Sequence, residues 1–171
     1  GFRILDVELN DVNGDSFSIT VSKSEGDKSV TPSVQKILDA EREMRLDTLA
    51  PYEAFAERAA RSKRELLKFI KTAHAEGKNV AALGASTKGN VLLQYCGLTE
   101  KDIFCVGDVN ADKFGCFTPG TWIPIVPEDE LLAMNPDFLI VLPWHFRPFF
   151  QQSSKFAGRK LVFPLPQVDV R

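Results

Sequence analysis

Val80-Ala81-Ala82-Leu83-Gly84-Ala85-Ser86-Thr87-Lys88-Gly89-Asn90-Val91-Leu92-Leu93-Gln94-Tyr95 decides the fold of this chain. Four consecutive apolar residues have the length and character of a strand buried on both faces, and the run from Asn90 suits a helix. Between them lies a turn bounded by Gly84 and Gly89. A strand, a glycine turn and a helix start place backbone N–H groups where a phosphate or carboxylate is received. Against G-x-G-x-x-G the outer glycines match, but Ser86 stands at the central position, which disfavours a dinucleotide pyrophosphate. Against the P-loop pattern, Asn90 and Val91 stand where Lys and Ser/Thr are required, so ATP hydrolysis has no support. Ser86, Thr87 and Lys88 still form a coherent anion set of two hydroxyls and an ammonium beside a helix dipole. The competing reading is a capping hydroxyl and a solvated lysine.

Downstream, short apolar runs alternate with helical stretches: Ile103 to Val106, Glu128 to Met134, Phe138 to Leu142, Phe146 to Lys155 and Leu161 to Phe163. This alternation predicts an α/β domain of Rossmann-like, three-layer type with a mostly parallel sheet. Asp108 stands near the roughly 20-residue offset at which an acidic residue meets a ribose in dinucleotide folds; a turn or cap role fits it equally. Thr118-Pro119-Gly120-Thr121-Trp122 and Pro143-Trp144-His145 are expected at the same carboxyl edge of the sheet. His145 reads as a ligand donor or a helix cap, Trp144 as packing, and His74 as a bystander on a helix. No Ser/His/Asp, Cys/His or paired-carboxylate arrangement assembles, so no catalytic residue is assigned.

Upstream, Phe2 to Leu9 and the alternating Phe17, Ile19 and Val21 flank Asn13-Gly14-Asp15 and predict a hairpin. Ser24 to Ser29 is polar, and Thr31-Pro32 reads as an N-cap and first helical residue opening Val34 to Met44. A long helix from Pro51 carries Phe55, Ala59, Leu66, Phe69, Ile70 and Ala73 and stops at Gly77. The expectation is one domain over residues 1–171: a hairpin lead-in at 1–30, helices at 32–77 and an α/β core at 78–171.

At 171 residues, 44% hydrophobic and 26% charged, the chain has the composition of a folded globular domain. A formal charge of −2 offers no attraction to nucleic acid or an anionic membrane. Cys96, Cys105 and Cys116 show no C-x-x-C spacing and read as free thiols, which suits a cytoplasmic location; no metal site is expected. No membrane-length apolar run and no leader occur, and a start at Gly1 directly in a strand pattern has the look of a piece cut from a longer polypeptide.

Asn13-Gly14-Asp15-Ser16-Phe17, the block Gly84 to Gly97, Asp108 with Lys113 and Gly115, and Thr118-Pro119-Gly120-Thr121 with Ile123-Pro124-Ile125 together resemble the C-terminal domain of the sugar C-methyltransferase family. The likeness covers nearly the whole chain. It implies a part of an S-adenosylmethionine-dependent enzyme that methylates a carbon of a nucleotide-linked keto sugar. In such an enzyme a base removes a proton beside the carbonyl and the enolate attacks the sulfonium methyl. The resemblance further implies that the cofactor, a zinc module and the proton-transfer residues belong to upstream domains of the same polypeptide, its partners here, so that this piece alone is inactive. It assigns substrate contacts to Gly84, Ala85, Ser86, Thr87, Lys88, Gly89, Asp108, Pro119, Gly120 and Thr121, to which the residue reading adds His145. Two departures stand out. Asp15 replaces the second glycine of a Gly-Gly-Ser turn, and His145 follows Trp144 where the family has Asn. The rival expectations are a stand-alone regulatory module binding NAD or coenzyme A, and a structural domain whose glycine loop stays empty.

Overall fold

The computed structural model describes residues 1–12, 14–23 and 29–171. Asn13 of the expected turn and residues 24–28 of the expected polar stretch lie outside the described residues. Two compact units result, Gly1–Arg58 and Ala59–Arg171.

In the first unit, β1 (Phe2–Asn10) pairs antiparallel with β2 (Ser16–Lys23). Gly14 and Asp15, in the five-residue connection between the strands, both take left-handed backbone, φ 72° and 74°. Asp15 therefore occupies a conformation that glycine adopts at lower cost. A bulge between Ile4 and Asp6 inserts Leu5, the one buried residue described in this unit. Helix α1 (Pro32–Glu43) opens with Pro32 in its first turn, as expected. Thr31 precedes it in extended conformation, but its hydroxyl does not cap the helix: it bonds to Asp6 on β1. Helix α2 (Ala50–Ala75) begins in the first unit and ends in the second, where Gly77 at φ 69° breaks it.

The second unit is a six-stranded, mostly parallel sheet. Its strands are β3 (Val80–Leu83), β4 (Val106–Asp108), β5 (Ile125–Pro127), β6 (Phe138–Val141), β7 (Leu161–Phe163) and β8 (Asp169–Val170), in the spatial order β5-β4-β3-β6-β7-β8. Only β8 runs antiparallel. The pleat sends alternate residues of β3 to opposite faces. Val80 and Ala82 join Leu66, Ile70 and Ala73 of α2 and Leu92, Leu93 and Cys96 of α3 (Thr87–Cys96). Ala81 and Leu83 join Leu131 and Leu132 of α4 (Glu128–Ala133) and Phe150 of α5 (Arg147–Gln152). Helices thus cover both faces of a sheet that is apolar on both, which explains the unbroken apolar run at Val80–Leu83.

Three expectations shift. The strand expected at Ile103 to Val106 lies at Val106–Asp108. Gly107, inside that strand, is demanded by packing, because a Cβ there would come within 2.6 Å of Leu131 Cδ2. The single helix expected from Phe146 to Lys155 breaks into a 3-10 turn, α5 and a second 3-10 turn, with Ser153 extended between the last two. Strands β5 and β8 are unexpected. Each is an edge strand of two or three residues, and Pro127 in β5 is the kind of residue only an edge accommodates.

Candidate functional site

The strand order reverses at β3, whose neighbours β4 and β6 leave it in opposite directions, and open α/β sheets gather ligands at such a point beyond the strand carboxyl ends. The turn after β3 is built for close approach. Gly84 has φ 78°, and a Cβ there would stand 2.7 Å from Pro143 Cδ. At Gly89 a Cβ would stand 2.6 Å from Leu142 Cβ. The two glycines flanking the turn therefore let the chain beyond β6 press against it. That packing closes the β6 side of the crevice with Pro143 and Leu142 and leaves the β4 side open.

On the open side lies a cleft of about 570 Å³, within the usual size range of ligand pockets. Ala85, Ser86 and Thr87 from the turn line it, with Asn90 from α3 and Lys113 and Pro119 from the segment between β4 and β5. Asp112, Cys116, Phe117 and Ile125 complete its wall. Ser86 is the N-cap of α3, its hydroxyl accepting from the Gly89 N–H at 3.1 Å. The first turn of a helix carries further N–H donors with no intrahelical acceptor and the positive end of the helix dipole. The capping and anion-site readings of Ser86 are therefore compatible: its oxygen caps while its hydroxyl proton stays available to donate.

Asp108 ends β4 and is 6% exposed. Its Oδ2 accepts from the Ala85 N–H at 2.7 Å and from Lys113 Nζ at 3.0 Å, while Oδ1 accepts from the Asn110 N–H at 2.8 Å. Burial pushes the carboxyl up, but the donors at Asn110, Lys113 and Ala85 together hold it below the ordinary value of 3.8. The carboxylate is thus spent on clamping the glycine turn and the Lys113 side chain. The Lys113 ammonium, also bonded to the Ala85 carbonyl at 3.0 Å, keeps one of its three protons for the cleft.

The other sequence-predicted residues divide. Pro119 lines the cleft, and its carbonyl is held by Gln94 Nε2 at 2.8 Å. Gly120, at φ 75°, turns the exposed rim. Thr121 is buried, its hydroxyl 2.6 Å from that of Thr118, so it shapes the turn from inside. Lys88 is exposed and lies near His145, whose imidazole is pushed below its ordinary value by burial and by the Lys88 charge. His145 does not line the cleft, and its Nδ1 is buried without a partner among the described residues. Arg147 is tied to Asp169 and lies over the Phe163 ring, 4.2 Å from its centroid.

Sequence reasoning passed over Asn90, whose Oδ1 is buried without a partner among the described residues, and Phe117 on the cleft wall. It noted Lys113 without assigning it a site role; the signal was its place five residues after the strand-end aspartate. All three cysteines are free, with Cys96 and Cys105 buried and Cys116 exposed. Among the described residues no group of three His, Cys, Asp or Glu side chains stands ready for a metal, and no helix is long and apolar enough to cross a membrane.

A two-faced, mostly parallel sheet with a cleft beyond its strand ends, at the start of α3, is the architecture of this unit. The model of the family described as "C-methyltransferase C-terminal domain" matches residues 11–166, and the chain belongs to that family. It is also 31% identical over 173 residues to the C-methyltransferase NovU of Streptomyces niveus, an alignment that covers 99% of this chain and 41% of NovU.

Proposed function

We propose that this domain holds the nucleotide diphosphate of a nucleotide-linked keto sugar for a C-methyltransferase that uses S-adenosylmethionine. The observation that carries the reading is the cleft in which the α3 N-terminus and Lys113 converge on one open volume. A diphosphate brings charge and acceptor oxygens to that convergence, and charge-assisted bonds there are roughly twice as strong as neutral ones. Phe117 and Pro119 supply apolar wall for the rest of the ligand. The Rossmann-like description fits the two-faced sheet in the same sense.

The cleft does not fit S-adenosylmethionine itself. The carboxylate in the ribose position, Asp108, is closed by three donors, and a sulfonium would meet Lys113 and the positive helix end, opposed only by Asp112 at the wall. Binding of cofactor, zinc and the reacting carbon is accordingly assigned to the rest of a cytoplasmic polypeptide. What this chain contributes is position. A remote anchor that orients a reactant acts on rate as well as affinity, with up to about 7–11 kcal/mol available from full orientation.

The test is calorimetric titration of uridine and thymidine diphosphates into the full polypeptide. Lys113→Ala should weaken binding by about tenfold, equivalent to about 1.4 kcal/mol, and leave S-adenosylmethionine affinity unchanged. Nucleotide affinity unmoved by that substitution would refute the anchoring role.

A further inference from the structure

The first unit has the parts of a core without the core. Among its described residues Leu5 alone is buried, and α1 buries none. The hairpin is nonetheless amphipathic. Its register sets Ile4 opposite Val21, Val7 opposite Ile19 and Leu9 opposite Phe17, and the bulge at Leu5 keeps the three pairs on one face. The other face pairs Arg3 with Ser22, Glu8 with Ser18 and Asn10 with Ser16. On the apolar face Leu9 is 76% and Phe17 68% exposed. Helix α1 covers it only in part, leaving a groove of about 420 Å³ between the strands and its Val34, Ile37 and Leu38.

An isolated two-stranded sheet is marginal in water, and monomers rarely leave so continuous an apolar face uncovered. The occupant is indicated by length. The family is a C-terminal domain, and the matched part is 41% of NovU, so most of such a polypeptide precedes this region. We propose that the Ile4-Val7-Leu9-Phe17-Ile19-Val21 face with the α1 groove is the docking surface for the N-terminal part of the same polypeptide, which supplies the missing half of this unit's core. The proposal rests on family membership and stands apart from what the cleft binds.

The test uses the full polypeptide carrying Cys116→Ser, with Phe17→Cys, Leu9→Cys or Ser18→Cys added singly. Maleimide labelling is followed at each site by peptide mass spectrometry and referred to the same cysteine in urea. At concentrations where light scattering reports a monomer, the Phe17 and Leu9 positions should label at least about tenfold more slowly than in the unfolded chain, and the Ser18 position within about twofold of it. Rates within about twofold of the unfolded chain at all three sites would overturn the proposal. So would equal protection at Ser18, or protection that disappears on dilution from dimer to monomer, which would assign the face to a second copy.

Discussion

Asp108→Asn removes the clamp that shapes the glycine turn while changing almost no volume. The carboxylate accepts at both oxygens: from the Asn110 N–H at one, and from the Ala85 N–H and Lys113 Nζ at the other. A carboxamide has one acceptor oxygen, so in either orientation its NH2 faces a backbone N–H that already points inward. One donor, at Ala85 or Asn110, is left without its acceptor, at a cost of about 1–3 kcal/mol. The Lys113 pair adds at most about 1 kcal/mol, because the lysine side chain is 37% exposed against 7% for the aspartate and water takes over its solvation. The sum is about 1–4 kcal/mol, which in a chain of this length lowers Tm by roughly 2–16 °C. Thermal unfolding followed by circular dichroism measures it, and the same protein should lose nucleoside diphosphate affinity because Lys113 is no longer held beside the turn. A Tm loss under about 1 °C would show that the three hydrogen bonds do not define the corner and would refute the clamp.

Further outcomes follow from the same geometry. Gly84→Ala should destabilise by about 2–4 kcal/mol in urea unfolding, since a Cβ at φ 78° meets Pro143 at 2.7 Å and adds overpacking to left-handed strain. On acidification, the stability that Asp108 lends is complete above its ordinary value of 3.8 and is lost as pH falls through its lowered folded value, so Tm should drop below about pH 4 and drop less steeply in Asp108→Asn. Maleimide near neutral pH should modify Cys116 and spare Cys105, whose thiol burial and Glu130 push up to about 11; a nucleoside diphosphate in the cleft should protect Cys116. Asp15→Gly should raise hairpin stability by about 0.5 kcal/mol by relieving left-handed backbone at φ 74°, visible as slower amide exchange in β1 and β2.

The residues whose chemistry is local were legible in sequence. The apolar run of β3 has the bounds Val80–Leu83 that its composition indicates, and Gly84 and Gly89 bound the turn that follows it, where packing against Pro143 and Leu142 is what requires glycine. What sequence spacing could not tell is which way a side chain is committed. Asp108 stands at the strand end where a ribose acceptor is expected, yet its oxygens go to the backbone of the turn it faces. Thr121 belongs to the motif expected to meet substrate, but its hydroxyl is spent on Thr118. His145 follows the strand that borders the switch point, but Pro143 against Gly84 shuts that side and moves the opening toward Lys113 and Phe117. Such commitments depend on contacts between segments far apart in the chain. The edge strands β5 and β8 were hidden for a related reason: at two or three residues they are specified by their neighbours and not by their own pattern.

The anchoring claim is tested most directly by a crystal structure of the full polypeptide grown with a nucleoside diphosphate. The account predicts diphosphate oxygens about 3 Å from the backbone N–H groups at the start of α3 and from Lys113 Nζ. A diphosphate held elsewhere, with the Ser86–Lys113 corner taken by water alone, would contradict it.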